Sequence, residues 1–236
     1  KKKKAEIDLS GVRRMDRHTG TALIIVDDAG ENMITVLPGA NSRLTAAALE
    51  QAGIAEGDYL LLQLETPIEG VLAAAALAQE NGATVVLNLA PFMDFDLALL
   101  KNVDVLVVNE TELAGVLEML DAPKLDEADA VSWLSDKFGN TVVATLGSRG
   151  AISVAAGSMT TVPSLKIKPV DTVGAGDTFV GYLSAGLAEG MTLSSAMERA
   201  SVAAGLACLT PGAQPSIPER AAVEDRLALG VASEAQ

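Results

Sequence analysis

The chain holds one cysteine, one histidine and one tryptophan, and aromatic residues make up only 3% of it. A lone thiol, Cys208, can form no internal disulfide, so a reducing cytoplasm is the expected compartment. With His18 the only imidazole, no zinc constellation and no Cys-His or Ser-His-Asp nucleophile system can be assembled. Scarce aromatics disfavour a stacking platform for single-stranded nucleic acid. Positive charge is short as well. Seventeen Lys and Arg face 31 Asp and Glu, a net charge of −14, which argues against nucleic-acid and anionic-membrane partners. Long hydrophobic runs are missing too: Val71–Ala78 is far too short to span a bilayer. No signal-type apolar segment follows the opening lysines, so neither a membrane nor a secreted protein is expected.

What is present is a core. The 236 residues are 49% apolar with a mean hydropathy of +0.32, enough for one large domain or two modest ones and incompatible with overall disorder. Lys1–Lys4 and the polar stretch to His18 read as an N-terminal remnant or an added segment. Thr21–Val26 and Met33–Leu37 are β-rich runs around Asp27–Asn32, a hairpin pattern. Leu44–Gln51 reads as a short helix. Tyr59–Leu64, Thr84–Asn88, Val103–Val108 and Thr141–Leu146 are apolar strands without alternation. Helical patterns separate them: one from Pro67 to about Gly82, then Leu113–Leu120 and Asp126–Phe138. That order predicts a parallel sheet covered on both faces. Residues 151–162 read as a hairpin, followed by helices from Gly174 to about Gly190, Leu193–Leu209 and Glu219–Leu229. Thr210–Pro218 reads as a loop and 230–236 as a frayed tail. The acidic run Asp121–Asp129 is a solvated loop and helix start.

Gly174-Ala175-Gly176-Asp177 at a helix start carries the strongest chemical signal. Two glycines let the backbone turn tightly and aim consecutive N–H groups at one point. The helix dipole adds partial positive charge there, which suits an anion. The carboxylate of Asp177 either caps the helix or works beside the anion. Phosphoryl transfer needs both parts: N–H groups for developing negative charge and a carboxylate for the hydroxyl proton. Asn109 and Glu112 have capping-box spacing, which is compatible with binding as well as capping. Gly147-Ser148-Arg149-Gly150 is a tight turn after a strand.

The string Asp171-Thr172-Val173-Gly174-Ala175-Gly176-Asp177 resembles the C-terminal signature of the ribokinase-like, or phosphofructokinase-B-type, carbohydrate kinases. Asn109-Glu110-Thr111-Glu112 is similar to that family's N-x-x-E motif, and Thr145–Gly150 to its nucleotide loop. Thr19–Ile24, Gly39-Ala40-Asn41 and Gly212–Ser216 match its ribokinase branch, so the resemblance runs from about Asp8 to Leu229. It implies a three-layer α/β/α sandwich with a mainly parallel sheet and a small β lid. The lid would include 19–38, the kinase domain would span 39–229, and a homodimer would form through a complete lid.

The resemblance also implies ATP-dependent phosphorylation of a sugar, D-ribose at its 5-hydroxyl or another sugar or sugar acid, with Mg2+ and K+. Asp177 would be the base, and Gly174, Ala175 and Gly176 the anion hole. Asn109, Thr145, Leu146, Gly147, Ser148, Arg149, Gly150, Gly176, Asp177 and Ser201 would hold ATP. Asn109 and Glu112 would place magnesium and phosphate. Glu65 would accept from a sugar hydroxyl; by itself it reads equally as an exposed strand-end carboxylate. Asp171, Val173, Ala207, Thr210, Gly212 and Ser216 would surround a monovalent cation, although Thr210–Ser216 alone is an ordinary loop. Two departures stand out. The family's first strand and its Gly-Gly-Lys-Gly-x-Asn sugar grip are not in this sequence, and its Asn-Pro-Ala-Pro loop is Asn88-Leu89-Ala90-Pro91. A chain without the grip is expected to bind ATP weakly, to phosphorylate ribose negligibly and to associate through exposed lid edges, as an impaired nucleotide-binding remnant would.

Overall fold

The computed structural model describes residues 7–26, 32–45 and 53–230. Four strands, β3 (Tyr59–Leu62), β4 (Thr84–Asn88), β5 (Val105–Asn109) and β6 (Thr141–Thr145), lie parallel and in chain order. β7 (Ala151–Ala155) and β8 (Ser158–Val162) extend the sheet antiparallel beyond β6.

The lack of alternation in these strands has a direct cause: each residue parity feeds a different core. Val85 and Leu87, Leu106 and Val108, and Val142 and Ala144 pack on one face. They meet Val71 and Ala75 of α1 (Ile68–Glu80), Leu113 and Val116 of α2 (Glu110–Met119), and Val131 and Leu134 of α3 (Glu127–Phe138). Val86, Val105, Val107 and Val143 face the other way. There they meet Phe179, Val180 and Leu183 of α4 (Ala175–Ala188) and Ala196, Met197 and Ala200 of α5 (Leu193–Ala207). With the parallel strands in chain order, α1, α2 and α3 pack on one side, and α4 and α5 cover the other. The result is the three-layer α/β/α sandwich expected from the sequence.

A buried Arg199 on α5 reaches Glu189, the residue that closes α4, at 2.7 Å, and so fixes the two helices against each other. α6 (Ala213–Ser216) and α7 (Arg220–Ala228) complete the chain, with Val223 packed on Val202 and Ala203. β1 (Thr21–Val26) and β2 (Asn32–Leu37) form a separate antiparallel pair in which Thr21 faces Leu37.

Several boundaries differ from the sequence reading. α2 starts at Glu110 rather than Leu113, because Asn109 caps it: its Oδ1 accepts from the Glu112 N–H while Glu112 Oε2 accepts from the Asn109 N–H, each at 2.8 Å. Within the expected loop 210–218 a single helical turn forms, α6, whose Ser216 hydroxyl donates to the Ala213 carbonyl at 2.7 Å. A 3-10 stretch at Leu97–Asn102 was not anticipated; the Asp96 carboxylate starts it by accepting from the Ala98 N–H. The turn 27–31, most of the helix expected at Leu44–Gln51 and the tail 231–236 lie outside the described residues, and the described Leu44 and Thr45 are not helical.

Candidate active site

In an open parallel sheet, ligands gather beyond the carboxyl ends of the strands. Here that edge carries Glu65 just past β3, Asn109 at the end of β5 and Thr145 at the end of β6. After β6 the chain turns sharply. The Leu146 N–H donates to the Gly150 carbonyl at 2.8 Å, and the Arg149 N–H to the Leu146 carbonyl at 3.0 Å. Gly150 sits at φ +92°, and a Cβ there would drive into the Val162 carbonyl and lie 2.8 Å from the Pro163 carbonyl carbon. Only glycine fits.

The start of α4 is built around Gly174, at φ +78° with no side-chain cap. Asp171 fastens the approach to it. Its Oδ2 accepts from the Gly212 N–H at 2.8 Å and its Oδ1 from the Val173 N–H at 3.0 Å. These bonds, that from Gly212 foremost, hold the Asp171 carboxyl below its ordinary value. The expected anion hole is rearranged in one respect. The Ala175 N–H is turned to the Thr172 carbonyl at 3.2 Å, so it is not a free donor. The N–H groups of Gly176 and Asp177, in the first turn, have no acceptor inside the helix and offer themselves to an anion. The Asp177 side chain is exposed beside them.

A cleft of about 520 Å3 joins the two turns. Of the residues expected to bind the nucleotide or its phosphate, Thr145, Gly147, Ser148, Gly150, Ala175, Gly176 and Ser201 line it. Leu146 is buried behind the turn, and Asn109, Arg149 and Asp177 are not in the wall. The Arg149 guanidinium instead reaches Glu127 with two bonds, 3.0 and 2.9 Å, and Glu110 at 3.1 Å. It holds the Glu127 carboxyl below its ordinary value.

Sequence reasoning missed most of the apolar wall: Leu165, Ile167, Phe179, Ala204 and Cys208. One signal was available. Ser201, Ala204, Gly205 and Cys208 stand at i, i+3, i+4 and i+7, a single helix face, so Ser201 alone implied the others. Gly205 is needed for that wall, since a Cβ would come within 2.6 Å of Leu165 Cβ.

Glu112 is nearly sequestered, at 8% exposure, and burial pushes its carboxyl up, partly offset by the bond from the Asn109 N–H. No group of three metal-ligating side chains occurs among the described residues. Glu112 does not line the cleft and its Oε2 accepts from the Asn109 N–H, so this single carboxylate would fit only an octahedral ion that brings water and other oxygens with it, as Mg2+ does. A carboxyl raised on folding favours the folded state when protonated, and loses that contribution as pH rises through its folded value. Glu112→Gln should therefore raise the melting temperature of the nucleotide-free protein relative to wild type at neutral pH, with the difference shrinking towards pH 4.5, the ordinary carboxyl value. A flat difference across that range would contradict it. Magnesium nucleotide should bind the variant more weakly.

The residues expected around a monovalent cation are partly gathered. Asp171, Val173 and Gly212 are directly hydrogen-bonded, and the Ala207 carbonyl accepts from the Thr210 N–H at 3.2 Å. Ser216 is buried on α6. Both Asp171 oxygens already accept from backbone N–H groups, those of Val173 and Gly212, and a cation there would have to use the lone pairs each oxygen keeps after one bond. Glu65 is exposed, and its N–H is held by the Gln63 side chain.

A family model for pfkB family carbohydrate kinases matches residues 1–220. The chain belongs to the pfkB family. The ribokinase of Haemophilus influenzae is 38% identical to this pfkB-family chain over 204 residues, covering 86% of it and 67% of the relative. The crystal structure of a ribokinase from Thermotoga maritima superposes with a TM-score of 0.84 at 31% identity, covering 92% of this chain and 72% of that one. An Arabidopsis thaliana ribokinase complexed with ribose and ATP gives 0.76 at 29% identity, covering 90% and 70%. The pfkB-family assignment makes the chain a carbohydrate kinase, so the cleft and the α4 start lie in a phosphotransferase fold.

Proposed function

We propose that this chain catalyses ATP-dependent phosphorylation of D-ribose at the 5-hydroxyl. The observation that carries the reading is the single cleft that joins the turn Gly147–Gly150 to the start of α4, where Gly176 and Asp177 present unengaged N–H groups. An adenine ring fits against Leu165, Ile167, Phe179 and Ala204, with Ser201 at the wall, and the phosphates run towards Gly176. Asp177 accepts the sugar hydroxyl proton as that oxygen attacks the terminal phosphorus in line. The first-turn N–H groups and the α4 dipole stabilise charge on the transferring phosphoryl oxygens. Asn109 and Glu112 would hold Mg2+, which when bound would neutralise phosphate charge. Glu65, on the same sheet edge, accepts from a sugar hydroxyl. β1 and β2, whose Leu23, Val36 and Leu37 are exposed, belong to the lid over the sugar and to a homodimer contact. The single Cys208 suits a cytoplasmic setting.

The test is ADP formation with and without ribose, with 31P NMR of the product. Ribose-dependent ADP and a 5-phosphate are expected, in place of the negligible turnover suggested by the missing Gly-Gly-Lys-Gly-x-Asn grip, because the pfkB match and the ribokinase relatives favour a working kinase. Nucleotide binding without any sugar turnover would refute the kinase reading and leave a nucleotide-binding module.

A potassium site at Asp171, Val173, Ala207, Thr210, Gly212 and Ser216 would supply positive charge beside the α4 start. Exchange of sodium for potassium at constant ionic strength is expected to raise turnover at saturating substrates. Equal rates in both salts would remove the site.

A further inference from the structure

Arg149 is the one member of the Gly147–Gly150 turn with a long side chain, and that side chain leaves the cleft. It lies across two helix starts. Glu110 is the first residue of α2 and Glu127 the first of α3. Both carboxylates are favoured there by the helix dipoles, and both converge on one guanidinium. The pair with Glu127 is bidentate, Nη1 to Oε2 at 3.0 Å and Nη2 to Oε1 at 2.9 Å, and Nη2 also reaches Glu110 Oε1 at 3.1 Å. A planar fork held on three oxygens restricts orientation as well as distance. Glu110 directly follows Asn109, so the clamp ties the turn that lines the cleft to the helix that carries Asn109 and Glu112. The turn has no other long side chain to hold it: Gly147 and Gly150 contribute none, and the Ser148 carbonyl accepts only from the short Ser164 hydroxyl.

We infer that Arg149 is a positioning residue for the nucleotide: clamped to Glu127 and Glu110, it sets the Gly147–Gly150 turn at the height at which its backbone meets the bound nucleotide. The inference rests on the cleft being the nucleotide site. It also has a built-in rival. If Arg149 merely screened two carboxylates from an anionic nucleotide, removing one carboxylate would help binding. If it positions the turn, removing that carboxylate harms binding, because the fork loses its anchor.

The experiment is titration of the protein with ADP in magnesium, for wild type, Arg149→Met, Arg149→Lys, Glu127→Gln and the Arg149→Met/Glu127→Gln double variant, with KM values for ATP and ribose alongside. Arg149→Met and Glu127→Gln are each expected to weaken ADP by about fivefold, the scale of a well-oriented exposed ion pair. Arg149→Lys, which keeps charge but not the fork, should restore little. The double variant should be no worse than Arg149→Met. The ribose KM should stay at the wild-type value, which separates positioning from general loosening of the fold; equal melting temperatures check this independently. Tighter ADP binding by Glu127→Gln, wild-type affinity in Arg149→Met, or full rescue by Arg149→Lys would each overturn the inference. Absence of ADP binding by wild type would instead strike the nucleotide site itself.

Discussion

Asp177→Asn is expected to lower turnover at least ~100-fold while leaving nucleotide affinity near wild type, the lower range for loss of a general base. The argument is positional. Asp177 stands in the first turn of α4, one residue beyond the cleft-lining Gly176, and its side chain is exposed. Asparagine keeps the size and the helix start but cannot take a proton. Nucleotide affinity depends on the N–H groups and the apolar wall, which the substitution leaves in place. Steady-state rates and an ADP titration check the two halves separately. Turnover within a few-fold of wild type would take the base role away from Asp177.

The second large effect is expected at Gly150. At φ +92° and ψ −136° Gly150 occupies an extended positive-φ region that is essentially glycine-only, where an L-residue is strained by roughly 1–3 kcal/mol, and the new methyl also meets the Val162 carbonyl. Relief requires β8 or the turn to move, and overpacking of this kind costs about 1–3 kcal/mol more. Gly150→Ala should lower the melting temperature by several degrees and weaken ADP by more than ~10-fold. Because Thr145, Gly147, Ser148 and Gly150 all line the cleft, the turn cannot shift without changing it. A variant with wild-type melting and wild-type ADP affinity would show that the turn is not a rigid part of the site.

The sheet was legible because β4, β5 and β6 are unbroken apolar runs, a pattern produced only by burial on both faces. The Asn109–Glu112 capping box was legible and does form, although the helix it opens starts at Glu110 and not at Leu113; Asp126, read as the first residue of the next helix, is the cap of α3. The glycine-rich start of α4 was visible for a similar reason, since its conformation demands particular residues. The cleft wall on α5 was hidden because Ala204 and Gly205 matter by being small, and small residues announce no chemistry. The ion pairs of Arg149 were not legible: its partners lie 22 and 39 residues away, and only the packing of α2 and α3 beside β6 brings them together. The free donor expected at Ala175 failed for a local reason, the Thr172 carbonyl one turn earlier.

The most direct test of the account is calorimetric titration of this 236-residue chain with magnesium ADP, beside an Ala204→Trp variant in which the indole fills the cleft between α5 and Leu165. Saturable one-to-one binding to wild type, and none to a variant that still melts cooperatively, is the expected result. No binding to wild type, or equal binding to both, would show that the nucleotide does not lie in this cleft.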